Sequence, residues 1–285
     1  MNFRLTAGSC ALVAGVLANI AGAATTMRLQ VAEAGSELWS SSINAKPGDA
    51  VDIRVTVSFT GGPVTPIGLS STIFQPTVSN WQIGGDALAP MVASGSNTTT
   101  PSGAVSDSPG QYGRVSPFAG VVIATSARLF GHVHAASATT GGVSFLRIAQ
   151  RQVTSWFGGP GNTSGGSGIN IKQWNINSPA RTLPNPQPAF LTQLTDIVIL
   201  KFKIVLSTDP STRTLTVDAP LAGFVRVADV NNWPGHPYIG WYTGPNGDTP
   251  HIADLPTIEQ GFINIPAPGA AALCLAGLLA IRRRR

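Results

Sequence analysis

Cysteine is missing from the body of this chain. Of 285 residues only Cys10 and Cys274 carry a thiol, and each lies in a terminal segment. Between them no disulfide, thiolate metal site or cysteine nucleophile can form. Charge is scarce too, at 11% of residues. The formal charge of +5 belongs to the ends: Arg4 and Arg282 to Arg285 are five of the 18 basic residues, and without them 13 basic residues face 13 acidic ones. No run of Lys or Arg interrupts the body, so the basic patch that nucleic-acid binding needs is absent. There is no Gly-x-Ser-x-Gly elbow, His-Glu-x-x-His, P-loop or Cys-x-x-Cys. The glycines of 158–168 lack dinucleotide spacing, and no helical pattern follows to supply N-terminal amides to a phosphate. Long helical periodicity and internal repeats are also lacking.

What is present is turn formers and alternating apolar residues. The chain holds 32 Gly and 22 Pro, yet 43% of it is hydrophobic, which is not the composition of a disordered chain. Met27, Leu29 and Val31 alternate with polar residues. After the turn Lys46-Pro47-Gly48-Asp49, Val51, Ile53, Val55, Val57 and Phe59 alternate with Asp52, Arg54, Thr56 and Ser58. A period of two predicts a strand with one buried and one wet face. The alternation continues through Ile67, Leu69, Ser71 and Ile73. Strands are further expected at 121–123, 128–134, 143–148, 197–206, 212–217 and 224–230. A long surface loop is expected over 87–110, a glycine-rich loop over 158–168 and an extended proline-rich connector over 179–188. Short strands separated by turn signals predict an all-β fold, a single β-sandwich of jelly-roll or Ig/cohesin-like type. A body of about 240 residues is long enough to build one core without disulfides.

The two ends read as addresses. Arg4, the apolar stretch from Ala7 to Ile20 and the small residues Ala21-Gly22-Ala23 form a secretory signal peptide over 1–24, cut after Ala23 or Ala24. At the other end, Ile265-Pro266-Ala267-Pro268 precedes an apolar run from Gly269 to Ile281, closed by Arg282, Arg283, Arg284 and Arg285. The run is thirteen residues, shorter than the roughly 20 of an ordinary membrane-spanning helix, and the arginines would stay on the cytoplasmic side. This end resembles the PEP-CTERM sorting tail. The resemblance implies a short transmembrane sorting helix and an exosortase-like membrane protease that removes the tail. Ala267 stands where that family usually has Glu, and an uncut anchor is the alternative. The expected division is therefore a leader over 1–24, a β-sandwich over 25–262 and a tail over 263–285.

Ala45 to Asp49 leading into Val51 to Phe59 also resembles the opening of cohesin-like and carbohydrate-module sandwiches, which implies the same fold. Candidate chemistry gathers between Asp229 and Asp254. There Trp233, Tyr238, Trp241 and Tyr242 either close the open end of the sandwich as core, as large aromatics usually do, or stand exposed and stack on sugars. Asn246-Gly247-Asp248 could offer oxygens to calcium or form a plain turn; no cofactor is otherwise implied. His132 and His134 would share one strand face, without a visible third metal ligand. So few acids and no motif point away from an enzyme. The expected function is that of an exported cell-surface or matrix protein with a structural or adhesive role. Its partners would be the secretion machinery, the membrane before processing and the exosortase-like protease, with no nucleic acid. The alternatives are a module binding secreted polysaccharide through Trp233 and Trp241, and a secreted hydrolase.

Overall fold

The computed structural model describes residues 24–62, 66–91, 112–115, 134–140, 142–149, 169–172, 191–220, 238–243 and 252–267. Within them the chain is all strand and turn. In order these are β1 (Ala24–Glu33), β2 (Ser42–Asn44), β3 (Ala50–Thr60), β4 (Gly68–Phe74), β5 (Thr77–Ser79), β6 (Ala87–Leu88), β7 (Gly113–Arg114), β8 (His134–Thr140), β9 (Val143–Ala149), β10 (Ile169–Lys172), β11 (Ile197–Val205), β12 (Arg213–Asp218), β13 (Tyr238–Tyr242), β14 (Ile252–Asp254), β15 (Thr257–Glu259) and β16 (Gly261–Ile265). The first sheet has the order β15-β1-β3-β11-β6, with β7 also on β11; the second is β10-β4-β13-β14; the third is β2-β16-β12-β5-β9-β8. All but two of the pairings are antiparallel; β15 runs parallel to β1, and β2 parallel to β16.

Alternation builds the first sheet as the sequence predicts. Met27, Leu29 and Val31 of β1 and Val51, Ile53, Val55, Val57 and Phe59 of β3 are buried in one cluster with Ile197, Ile199, Phe202 and Ile204 of β11. The turn before β3 forms as well. Gly48 takes a φ of +87°, a conformation open to glycine without steric penalty, and Asp49 Oδ2 accepts the Lys46 amide at 2.7 Å. The wet face expected for β3 is a different matter: Asp52, Thr56 and Ser58 are buried too. Polar alternation marks which side chains point away from the core, not whether something lies over them. Tyr112 and the Gly35 turn cover Asp52, and the Asp196 amide donates to Ser58 Oγ at 2.9 Å.

The opposite layer is split. β4 leads through Gln75 and Pro76 directly into β5, so one chain run passes from the second sheet to the third. Proline lacks the N–H a continuous ladder needs, and the ladder breaks there. Both parts pack on the first sheet. Trp241 of β13 meets Phe59 of β3 edge to face at 5.4 Å, and Gly261 of β16 sits against the Leu29 carbonyl of β1. Leu69 and Phe74 on β4 have opposite parity, yet both are in the core. A register shift against β13 between Gly240 and Trp241 accounts for it, because a bulge moves the following side chains to the other face.

Two sequence boundaries move. Ala87 and Leu88, expected to open a long loop, instead pair with Val205 and Ile204 as β6. The body does not end at Phe262: Ile263 and Ile265 are core residues laddered to Leu215 and Arg213. The expected strands at 121–123 and 224–230, the loop at 158–168 and the connector over 179–188 lie outside the described residues. So do residues 1–23 of the leader expected over 1–24 and residues 268–285 of the tail expected over 263–285. Among the described residues no helix is long and apolar enough to cross a membrane.

Candidate functional site

Strand direction fixes where the Pro266-Ala267 segment emerges. β1 runs from Ala24 to Glu33, and β3 returns, pairing Glu33 with Val51 and Ala24 with Thr60. β11 climbs again, from Ile197 opposite Val57 to Val205 opposite Ala50. β15 climbs beside β1, with Thr257 opposite Thr26 and Glu259 opposite Arg28. The chain then crosses at Gln260 and Gly261 into β16 without reversing. Ile265 therefore finishes at the end of the sandwich where Glu33, Ala50 and Val205 lie, far from Ala24. Ile265 is buried, while Pro266 and Ala267 directly after it are exposed. Pro268, Arg282, Arg283, Arg284 and Arg285 lie outside the described residues.

That same exit end holds a polar cluster the sequence analysis missed. Asp86, at the end of the tight turn before β6, has a fully buried carboxylate. Its Oδ2 accepts the Gln82 amide at 2.7 Å and its Oδ1 the Ser207 amide at 2.8 Å. The Arg213 guanidinium grips both oxygens and also reaches the Asn80 carbonyl at 3.1 Å. Gln82 extends the network to Ser207 Oγ and, at 3.0 Å, to Asp209. Burial pushes the Asp86 carboxyl up, but the Arg213 hydrogen bond and the two backbone amides outweigh it and hold it below the usual carboxylate range. Each oxygen is thus occupied twice, which leaves no lone pair free to take a proton from a substrate. The cluster joins two connections of the exit end, β5 to β6 and β11 to β12, to the start of β12 and is a structural clamp. Only its partners, more than 100 residues apart in sequence, reveal it.

A second cluster lies over β3 and β11. Asp52 Oδ2 accepts the Gly35 amide at 2.8 Å, Tyr112 donates to Oδ1 at 2.9 Å, and Lys203 Nζ approaches Oδ1 at 3.7 Å. Burial, helped by Asp52, raises the Tyr112 phenol. The hydrogen bond with Tyr112, helped by Asp52, raises Lys203. Near neutral pH the phenol therefore keeps its proton and the amine stays charged, so neither is a base or nucleophile. Nearby, the Arg54 guanidinium lies 4.7 Å over the Trp39 ring and donates to Gln30 at 2.8 Å.

The aromatic residues expected between Asp229 and Asp254 separate. Trp241 and Tyr242 are buried, and Trp241 Nε1 donates to Thr25 Oγ1 at 3.2 Å. These two rings close the core under β13 and present no flat face to a sugar. Tyr238 opens β13 opposite Ile73. Trp233, Asp229, His236, Asn246, Asp248 and His251 lie outside the described residues, as does His132; His134 begins β8 and Asp254 ends β14. Among the described residues no three His, Cys, Asp or Glu side chains come together as a metal site.

No known family matches the sequence, and no curated protein matches it. Among solved structures, the neighbours are cohesin modules. The sixth cohesin of scaffoldin B from Acetivibrio cellulolyticus, solved with a dockerin, is matched over 85% of this chain and 99% of that chain, at 11% identity and a TM-score of 0.37. The seventh type I cohesin of a Pseudobacteroides cellulosolvens scaffold protein is matched over 85% and 94%, at 11% identity and a TM-score of 0.33. The cohesin module of a family 33 glycoside hydrolase from Clostridium perfringens gives 86% and 99%, at 6% identity and a TM-score of 0.29. Superpositions this loose say nothing of partner or activity.

Proposed function

We propose that this chain is an exported, non-catalytic surface or matrix module with a structural or adhesive role, delivered by its leader and held at the membrane by its C-terminal tail until an exosortase-like protease cuts it. One observation carries the reading. The last ladder residue of β16 is Ile265, directly before the Pro266-Ala267 pair on which the sorting reading rests. The Pro266-Ala267 pair emerges exposed from a closed ladder, as a motif read by another protein must. Among the described residues, the buried carboxylates of Asp52 and Asp86 are engaged by internal donors, while His132, Asp229 and Asp248 of the hydrolase reading lie outside the described residues. The polysaccharide reading loses Trp241 and Tyr242 to the core and keeps only Trp233 and Tyr238 of the aromatic set.

Deleting Arg282 to Arg285 tests the sorting reading. The expected outcome in the native host is loss of membrane retention and of C-terminal processing, followed by cell fractionation and by mass spectrometry of the C-terminus. Unchanged retention and processing would overturn it.

A further inference from the structure

The side chains that sort the two ends of the sandwich are its exposed large apolar ones. Among the described residues there are five: Leu38 at 78% exposure, Leu255 at 56%, Ile83 at 51%, Val143 at 45% and Val205 at 37%. Singly, exposed apolar residues need no explanation. Their distribution does. Val205 ends β11 opposite Ala50, at the exit end. Ile83 lies in the turn between Trp81 and Asp86 that is clamped to Ser207 and Arg213. Leu38 lies instead on the outer face of the first sheet, between Glu37, which reaches Lys201 at 3.9 Å, and Trp39, which stacks on Arg54. Val143 starts β9 beyond Phe145, which pairs with Ser79 as β5 climbs towards the Arg213 end of β12. Three of the five, Ile83, Val143 and Val205, thus lie at the end from which Pro266 and Ala267 emerge. Only Leu255, two residues before Thr257 and so level with Ala24, is at the far end.

The length of chain beyond the fold matters here. Between Ile265, still in the ladder, and Gly269, where the apolar run starts, stand only Pro266, Ala267 and Pro268. Fully extended, four steps span about 14 Å at most. The polar interface on one side of a bilayer is about 5–7 Å deep. A tail inserted in the membrane therefore holds the exit end at the headgroups with almost no slack. The far end of β1, nine residues from Glu33, stands about 30 Å further out.

The geometry points to a lipid-facing end: while the chain is tethered, Ile83, Val143 and Val205 rest against the bilayer surface, and the end carrying Ala24, Thr60 and Leu255 is the one displayed outward. Exposed apolar side chains gain by entering the interface, and the tail supplies the proximity. This inference rests on the sorting reading, and the test separates the two. The body has no cysteine, so single labels can be placed in the full chain after Cys10→Ser and Cys274→Ser. Ile83→Cys in one sample and Leu255→Cys in another would each carry an environment-sensitive fluorophore. Both chains would be reconstituted into phosphatidylcholine/phosphatidylglycerol vesicles containing nitroxide-labelled lipid. The expected result is a blue-shifted label at position 83 that loses most of its emission to the nitroxide, and a label at position 255 unchanged from its value in solution. Strong quenching at 255, equal quenching at both, or no quenching at 83 in vesicle-bound chain would overturn the orientation and leave the sorting reading standing. Cross-linking of position 83 to a second copy without lipid quenching would overturn it in favour of self-association. Failure of the chain to float with vesicles would overturn both. Both labelled sites are exposed, and matching circular dichroism spectra would check that each variant is folded.

Discussion

Asp86 shows how one residue can organise an end of a molecule. Its carboxylate is buried, ionised and doubly gripped by Arg213, so removing Arg213 leaves an uncompensated buried charge. Arg213→Ala is expected to cost about 3–5 kcal/mol, read as a fall in the urea midpoint of the 24–267 body at neutral pH. The pH dependence follows from the sign of the shift. The folded carboxyl lies below its unfolded value. It therefore contributes stability that is fully present above the ordinary carboxylate value of about 3.9 and is lost as pH falls through the lower folded value. In Arg213→Ala burial is no longer outweighed by the guanidinium, so the variant lacks that contribution already at neutral pH. The gap between the two urea midpoints should narrow from neutral pH to about pH 2; a constant gap would show that Arg213 acts only by packing. None of this was legible in the sequence. Asp86 and Arg213 sit 127 residues apart in segments whose local pattern marks only turns and a strand.

At the scale of elements, the crossing from β15 to β16 is the unusual feature. One extended run pairs with β1 in the first sheet, then leaves for the third sheet at Gly261. A Cβ built there would lie 2.6 Å from the Leu29 carbonyl oxygen and 3.3 Å from Val31 Cγ1. The clash is with backbone, which cannot swing aside as a side chain can. Gly261→Ala is expected to cost about 1–3 kcal/mol through displaced backbone, with amide exchange rising first in β15, β16 and β2. Exchange rates unchanged in those strands would mean that the crossing tolerates a methyl group. The sequence analysis recognised β1, β3, β9, β11 and β12 because each alternates or forms an apolar run. It missed β15 and β16 as one spanning element, since Pro256, Gly261 and Pro266 look like punctuation, and it left Ile263 to Ile265 in the tail because they adjoin an apolar run. Burial of Ile263 and Ile265 decides the matter.

For the whole molecule, one core links the three sheets. Met27 and Val55 from the first, Phe74 and Trp241 from the second, and Leu215 and Ile263 from the third belong to a single buried cluster. The split at Pro76 therefore divides the ladder and not the core. The 24–267 body is expected to unfold in one transition, with tryptophan fluorescence and far-ultraviolet circular dichroism giving coincident urea curves. Two separated transitions would show that the halves of the split layer are independent. The sequence by itself determined the all-β class, the strands β1, β3 and β11 and the expectation of two address segments. Alternation, turn chemistry and short terminal apolar runs are local signals, carried within ten or so residues. Only the tertiary structure decided that the polar face of β3 is covered, that Trp241 and Tyr242 are core, and that Asp86 meets Arg213. It also decided which end of the sandwich the motif leaves from. Those outcomes depend on pairings between distant strands and on their direction, and no local pattern encodes which strands meet.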